Sequence, residues 1–475
     1  MSLATLPDCQ VLCTFGSPEP DLYEALIDWL DEKQERTLLV LDEKKEMARI
    51  DDRVYWCQLG NEEEVAKKLV FLSVGYLPHP GNSEKSEEEM AASFAKLSYL
   101  IEKNQLIASD FQNQGLTQLD NFFKNASFAG QSVEGTDLFG KFQGVPALIC
   151  GAGPSLEIDA EQVAALKDHA LLFAGGTALS SLAMMGITPH FAGAIDPHSP
   201  QERHFLHKAH HLPIFYQNRT NPDRLKEWEG KGVWIPGGLN DLFEKVHFDG
   251  GWNVSTFLAA IAYEMGCNPI ILVGVDLAQS KDKSYASDLP RTEGGDLVQV
   301  PGTEFYSRTD WLFARDWLTE HARSRPDRQW IQTSKGGLDI GGFERKDLEE
   351  IKLPKIKHLE RQINDALEKC RPKGKGAYSK EELIPSYCRV EELCNQLLEL
   401  SEQIFPDPPH KKGEYTILQV EMEAEVVYRK HLLPIWNIWE PILARQIPKD
   451  VPPGYGIELN RLLFIKEICH AARAL

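Results

Sequence analysis

Apolar and polar positions divide the chain into three stretches of different texture. In the first, Gln10–Phe15 and Thr37–Leu41 are short apolar runs that predict strands, the second ending at Asp42. Between them Gly16-Ser17-Pro18 reads as a turn, and Asp21–Leu30 has helical spacing. A strand-helix-strand opening predicts a small α/β domain. Pro78–Glu89 is rich in Pro, Gly, Asn, Ser and Glu and predicts an exposed loop. Helices are expected after it, to about Lys124.

The middle stretch alternates short apolar runs with helical patterns. Val145–Cys150, Ala170–Ala174, His190–Ile195, Pro213–Tyr216, Val233–Ile235 and Pro269–Val273 predict strands. Helices are expected over Ile158–Lys167, from Thr177 to Met185, and over Asn253–Met265, where Asn253 is placed to cap. Such alternation indicates a parallel sheet buried on both faces. In the last stretch Val390, Leu393, Leu397, Leu400 and Ile404 repeat at helical spacing, and Ile417–Ile435 and Ile457–Ala474 read the same way. Proline clusters at 406–409 and 452–453 punctuate them. The expected organisation is α/β: a smaller α/β domain (1–140), a Rossmann-like parallel-sheet core (141–353) and an all-helical C-terminal region (354–475). The last carries no evident chemistry, and structural support or oligomerisation is its expected role.

Composition narrows the function. A chain of 475 residues with 42% hydrophobic residues can build ordinary cores. Its net charge of −20 disfavours nucleic-acid backbones and anionic lipid. No run of about 20 apolar residues predicts a membrane span, and the first ten residues do not resemble a secretory signal. Nine scattered cysteines give neither a disulfide framework nor a paired zinc motif. A reduced, cytoplasmic protein is expected, and no metal site is assigned.

The candidate chemistry lies at the C-terminal ends of the middle strands, where open parallel sheets bind ligands. Gly151-Ala152-Gly153-Pro154-Ser155 follows one strand, and Gly175-Gly176-Thr177 the next. Asp196 and Asp276 follow two others. Glycines after a strand permit a tight turn or a close approach to phosphate, which a following helix N-terminus favours. Ser155 and Thr177 equally suit helix capping. The two aspartates suit turns, sugar hydroxyls, amines or a shared Mg²⁺. All four loops are expected to converge on one cleft. His198 is the histidine nearest it. His204, His207 and His211 share a spacing that suits metal ligands but more commonly a solvated helix face. Asn218 and Arg219 follow another short strand. Ser280–Val300 reads as a lid, with Tyr285, Tyr306 and Arg308 to watch. Arg308 suits an anionic substrate. Ser334–Gly342 is glycine-dense and reads as turns or a further approach to ligand.

The segments ALICGAGPSLEID and FAGGTALSSLAMMGITPHFAGAIDPH resemble the motility accessory factor family of bacterial flagellin glycosyltransferases. NVSTFLAAIAYEMGCNPIILVGVDLA and IQTSKGGLDIGGF are similar to later motifs of that family. The resemblance covers about Lys141–Leu353. It implies a fold like that of bacterial sialyltransferases, whose donor is a CMP-activated acidic nine-carbon sugar. It also implies transfer of pseudaminic or legionaminic acid to Ser or Thr of a protein such as flagellin. On this reading Gly151, Ala152, Gly153, Pro154 and Ser155 hold the nucleotide phosphate. Gly176, Thr177, Asp196 and Asn253 line the nucleotide site, with Asp276 at the sugar end. His198, Asn218, Tyr285 and Arg308 face substrate. Where the sialyltransferases place a base histidine this chain has Thr303-Glu304-Phe305-Tyr306, which leaves Tyr306 and Glu304 as the candidates to take the acceptor proton. The same core is similar to archaeal hydroxymethyl-dihydropterin pyrophosphokinases, which would use ATP and Mg²⁺ with Asp196 and Asp276 as metal or pterin contacts. A catalytically degenerate nucleotide-binding scaffold is a third reading. An NAD enzyme fits poorly, because Leu156 stands where the third glycine of GxGxxG belongs.

Overall fold

The computed structural model describes residues 6–16, 20–42, 53–77, 86–198, 209–237, 248–279, 286, 297–300, 303–333, 336–374, 379–404, 413–448 and 450–475. The chain divides into two compact units, Met1–Gly115 with Tyr387–Ala474, and Leu116–Ser386 with Leu475. The C-terminal helices thus group with the N-terminal sheet, and the sequence boundaries at 140 and 353 both fall inside the second unit.

The N-terminal segment runs β1 (Val11–Phe15), α1 (Pro20–Glu32), β2 (Thr37–Asp42), β3 (Val54–Gln58), α2 (Glu62–Leu69), β4 (Val74–Tyr76) and α3 (Glu87–Gln131). Its strands form a parallel sheet in the order β3-β2-β1-β4. The helix α3 opens at Glu87, so the end of the expected exposed loop is helical.

The second unit adds β5 (Val133–Glu134), β6 (Ala147–Cys150), α4 (Ser155–Ile158), α5 (Ala160–Ala165), β7 (Leu171–Gly175), α6 (Thr177–Met184), β8 (Phe191–Ala194) and β9 (Ile214–Tyr216). It continues with α7 (Pro222–Lys226), β10 (Gly232–Trp234), α8 (Val254–Glu264), β11 (Ile270–Val273), β12 (Leu297–Gln299), β13 (Tyr306–Arg308) and α9 (Thr309–Arg323). The strands β14 (Trp330–Gln332) and β15 (Glu344–Arg345) and helix α10 (Leu359–Glu368) complete it. Nine strands form one parallel sheet, β15-β14-β11-β6-β7-β8-β9-β10-β5. Alternate residues of the central strands enter opposite cores. Ala147, Ile149, Leu171, Phe173, Ile270 and Leu272 pack on one face, with α8. Leu148, Cys150, Leu172, Ala174, Ile271 and Val273 pack on the other. Period-two side chains with both faces covered make these runs continuously apolar.

The C-terminal helices are α11 (Lys380–Ile404), α12 (Gly413–Ala424), α13 (Leu433–Ala444) and α14 (Pro453–Arg473). The single stretch expected over Ile417–Ile435 is broken. A π-helical turn, Tyr428–Leu432, separates α12 from α13 just before Pro434, whose ring nitrogen has no N–H to donate. Within this unit Arg445 donates to the carbonyls of Lys68 (3.0 Å) and Val70 (2.8 Å), closing the C-terminal end of α2. Among the described residues no helix is long and apolar enough to cross a membrane.

Candidate active site

Strand order reverses between β6 and β11. The chain adds β7 to β10 on one side of β6, and β11, β14 and β15 on the other. Ligands bind at the carboxyl ends of strands flanking such a reversal. Here the loops after β6 and β11 are laced together. The Gly151 N–H donates to the Val273 carbonyl (2.7 Å) and the Gly153 N–H to that of Gly274 (2.8 Å). A Cβ on Gly151 would lie 2.4 Å from the Gly274 oxygen, and Gly274 itself has φ +67°. Asp276, buried, accepts the Ser155 N–H at 3.0 Å and also the Ser155 hydroxyl.

This geometry corrects the roles expected for the loop. The amides of Gly151 and Gly153 serve the neighbouring loop, so they are not phosphate donors. Pro154, not Ser155, stands at the N-cap of α4, and Ser155 is held by Asp276. The glycines are required because two backbones and a carboxylate approach closely.

A cavity of about 160 Å³ opens beside this junction. Its walls include Gly151, Ala152, Gly153 and Asp276, together with Gly175, Thr177 and Ala178 after β7, Asn253, Val254 and Ser255 at the start of α8, and Trp311. Thr177 does not cap α6; Gly176, with φ +51°, occupies the N-cap. Asn253 is a cap as expected. Its side chain accepts from Ser255 N (2.9 Å) and Thr256 N (3.0 Å), while Thr256 Oγ1 accepts the Asn253 N–H at 3.0 Å. The first turns of two helices therefore border one cavity, and their positive dipole ends favour an anion there.

Three of the four expected loops meet at the cavity. The fourth, carrying Asp196 after β8, is not among its lining residues. Asp196 keeps contact with solvent and accepts the His198 N–H at 3.0 Å. Packing still strips enough water from its carboxyl to raise its pKa, against the His198 amide and the charges of Arg219, His198 and Arg224. His198 is exposed. Asn218 is buried and structural: its Oδ1 accepts the Trp234 indole N–H (3.0 Å) and its carbonyl accepts from Asn125 (2.8 Å).

The strand β13 is tied to the chain beyond Asp276. Tyr306 and Gln279 exchange backbone hydrogen bonds of 2.9 and 2.8 Å, and the Ser307 hydroxyl donates to the Leu277 carbonyl at 2.8 Å. Leu277, a cavity wall, adopts φ +51°, a strained conformation for a leucine. Tyr306 is half-buried at this junction and Glu304 is exposed, neither in the lining. Arg308 pairs with Asp310 (3.0 and 3.3 Å), and its guanidinium lies 5.5 Å from the Trp311 ring centre. Arg308 thus backs the cavity through Trp311. Tyr285, His204, His207, Ser334 and most of the expected lid lie outside the described residues. Ala286, from that stretch, is buried and donates its N–H to the Ala152 carbonyl at 2.9 Å. Leu338 donates to the Asp276 carbonyl (2.9 Å), so the glycine-dense turn braces the β11 loop. Sequence reasoning missed Trp311, Val254 and Leu277, which carry no glycine or charge signal.

This is a Rossmann-like α/β unit with a small anion-suited cleft at its switch point. Residues 120–282 match the family model described as 6-hydroxymethylpterin diphosphokinase MptE-like. Among solved structures, that of the MAf glycosyltransferase from Magnetospirillum magneticum AMB-1 aligns over 98% of this chain and 74% of that chain, with a TM-score of 0.56 at 16% identity. At that identity the likeness establishes the fold. The two matches support the resemblance to the motility accessory factor family. No curated protein matches the chain.

Proposed function

We propose that this chain is a glycosyltransferase of the motility accessory factor type, moving an acidic nine-carbon sugar from a CMP-activated donor to a Ser or Thr hydroxyl of a protein in the cytoplasm. The observation that carries this reading is the cavity at the β6–β11 reversal, bordered by the first turns of α6 and α8. Those turns suit the donor phosphate, which leaves on CMP as the acceptor oxygen bonds to the sugar's anomeric carbon. The acceptor proton needs a base, and we assign it to Tyr306, which the Gln279 bridge holds beside the Leu277–Ala278 wall.

The second reading is Mg²⁺-dependent pyrophosphoryl transfer from ATP, favoured by the family match over 120–282. It needs carboxylates to hold metal and phosphates together. Among the described residues the cavity wall has one carboxylate, Asp276, which already accepts both Ser155 groups, so the transferase reading is preferred.

Thermal shifts with CMP, CMP-sialic acid, NAD, and ATP with and without Mg²⁺ separate the two. Saturation at 100 times Kd stabilises the native state by about 2.7 kcal/mol. The transferase predicts a CMP shift without added metal, lost in Trp311→Ala. A shift with ATP only when Mg²⁺ is present would favour the kinase. Silence from every nucleotide would defeat both.

A further inference from the structure

The chain leaving β11 is tightly wound. Gly274 has φ +67° and Leu277 φ +51°, so both take the left-handed conformation. Glycine does so freely. In leucine the Cβ crowds the following carbonyl, and the conformation persists only where its surroundings impose it. Leu277 is buried and lines the cavity between Asp276 and Ala278. What imposes its conformation is visible in the carbonyls of this segment. Val273 accepts the Gly151 N–H (2.7 Å), Gly274 that of Gly153 (2.8 Å), Asp276 that of Leu338 (2.9 Å) and Gln279 that of Tyr306 (2.9 Å). Those donors are backbone amides, which no substitution short of proline removes. The Leu277 carbonyl accepts instead from a side chain, the Ser307 hydroxyl, at 2.8 Å. The Arg308 carbonyl lies farther from that hydroxyl, at 3.5 Å, so its single hydrogen goes to Leu277. Ser307 is 0% exposed, and a hydroxyl buried so fully needs such a bond. The strand β13 thus grips both sides of Ala278, Leu277 through the Ser307 side chain and Gln279 through the Tyr306 main chain.

We infer that Ser307 is a positioning residue for the cavity: its hydroxyl holds Leu277 in the left-handed conformation and so fixes the Asp276–Ala278 wall in the shape that takes the ligand. Without that bond the Leu277 carbonyl is buried and unpaired, and strain drives the backbone toward a relaxed φ. A change of φ at Leu277 turns Asp276 and Ala278 relative to each other. The wall is spoiled, while the apolar layers on the two sheet faces stay in place. Ser307 is not among the cavity's lining residues, so it acts through Leu277 and not on the ligand. It also keeps Tyr306, its neighbour in the chain, in register with that wall. The inference rests on the nucleotide-donor reading for the identity of the ligand. The coupling of Ser307 to Leu277 stands on the geometry alone.

The test measures CMP affinity, and hydrogen exchange over residues 273–279, in the full chain. The proteins are wild type, Ser307→Ala, Leu277→Gly and the double variant. A wall that is competent about one-tenth of the time binds about tenfold more weakly, and that loss is expected of Ser307→Ala. Exchange at the Gln279 amide, which donates to the Tyr306 carbonyl, should speed by a similar factor. Glycine takes φ +51° without strain. In the Leu277→Gly background, removing the Ser307 hydroxyl should therefore change CMP affinity and exchange by no more than about twofold. Ser401→Ala is the control. It removes a comparable buried bond in the other unit, Ser401 Oγ to the Leu397 carbonyl at 2.7 Å, and should lower the melting point without altering CMP affinity. Should Ser307→Ala not fold, Ser307→Cys, whose thiol is a weak donor, should show a smaller loss of the same sign. An equal loss in both backgrounds, or an affinity and exchange rate unchanged by either Ser307 substitution, overturns the inference. If wild type binds no CMP, the donor reading falls and exchange alone decides the coupling. Faster exchange confined to the Leu277 background supports it, and equal acceleration in both backgrounds overturns it.

Discussion

At the scale of single residues the candidate site is an exercise in space. Gly153 has no unusual φ, yet a Cβ there would sit 2.4 Å from Asp276 Oδ2 and 2.5 Å from its Cγ. The carboxylate cannot retreat, because it is buried and holds both Ser155 groups. Gly153→Ala should therefore cost about 1–3 kcal/mol through overpacking and loss of these bonds. In an Asp276→Ala background the two closest contacts are removed and only the one with the residue-276 Cβ, 2.8 Å, remains, so the added cost of Gly153→Ala should drop by about 1 kcal/mol. Denaturant melts of the four proteins give this coupling directly. A purely additive result would mean that Gly153 is required for some reason other than Asp276. The glycines were visible in the sequence, but the group that excludes a side chain was not. It comes from a loop 120 residues downstream, brought alongside by β6–β11 pairing.

At the scale of elements, legibility followed length and burial. Five-residue apolar runs and the long helix after Asn253 were plain, because both sheet faces are covered and the cap announces the helix. The two- and three-residue strands β5, β12, β13 and β15 are too short and too polar or exposed to register, unlike the equally short but fully buried β9 and β10, and only their partners define them. The same limit hid where two of the candidate residues sit. Tyr306 and Arg308 belong to β13, whose place is set by the Gln279 bridge. Trp311 enters the cavity from the first turn of α9 with no local motif to mark it. The α8 cap offers an element-scale test. Asn253 satisfies two amides, and Thr256 returns a bond, so Asn253→Ala should lower stability by about 1 kcal/mol. Asn253→Asp should retain most of it and add charge that suits the helix start. If both substitutions cost the same in a urea melt, the cap is not what holds this end of α8.

At the scale of the whole molecule, three buried histidines make stability depend on pH. His190 accepts the Leu172 N–H through Nδ1 (3.0 Å) and its pKa is lowered to about 4 by burial. His321 lies against Trp317, its enclosed Nε2 without a hydrogen-bond partner among the described residues, and burial with the nearby Arg325 charge lowers it to about 3. His431, hydrogen-bonded to Tyr387 at 2.8 Å, is lowered to about 4 by burial alone. The folded chain keeps these rings neutral while the unfolded chain protonates them below about pH 6.5. Their stabilising effect is therefore complete above that pH and is lost progressively as pH falls toward 4. The shifts correspond to at most roughly 3 kcal/mol each for His190 and His431 and roughly 5 kcal/mol for His321. Two of the three lie in the second unit and one in the first, so the second unit should lose more stability between pH 7 and 5. Carboxylates held low by cation partners, such as Asp137 beside Arg371 and Glu391 beside Arg473, join only at more acid pH. Urea melts at pH 7 and 5, wild type against His190→Gln and His321→Gln, separate these contributions. Each substitution should flatten the pH dependence of the second unit while leaving that of the first unchanged. An equal slope in wild type and both variants would place the acid sensitivity elsewhere.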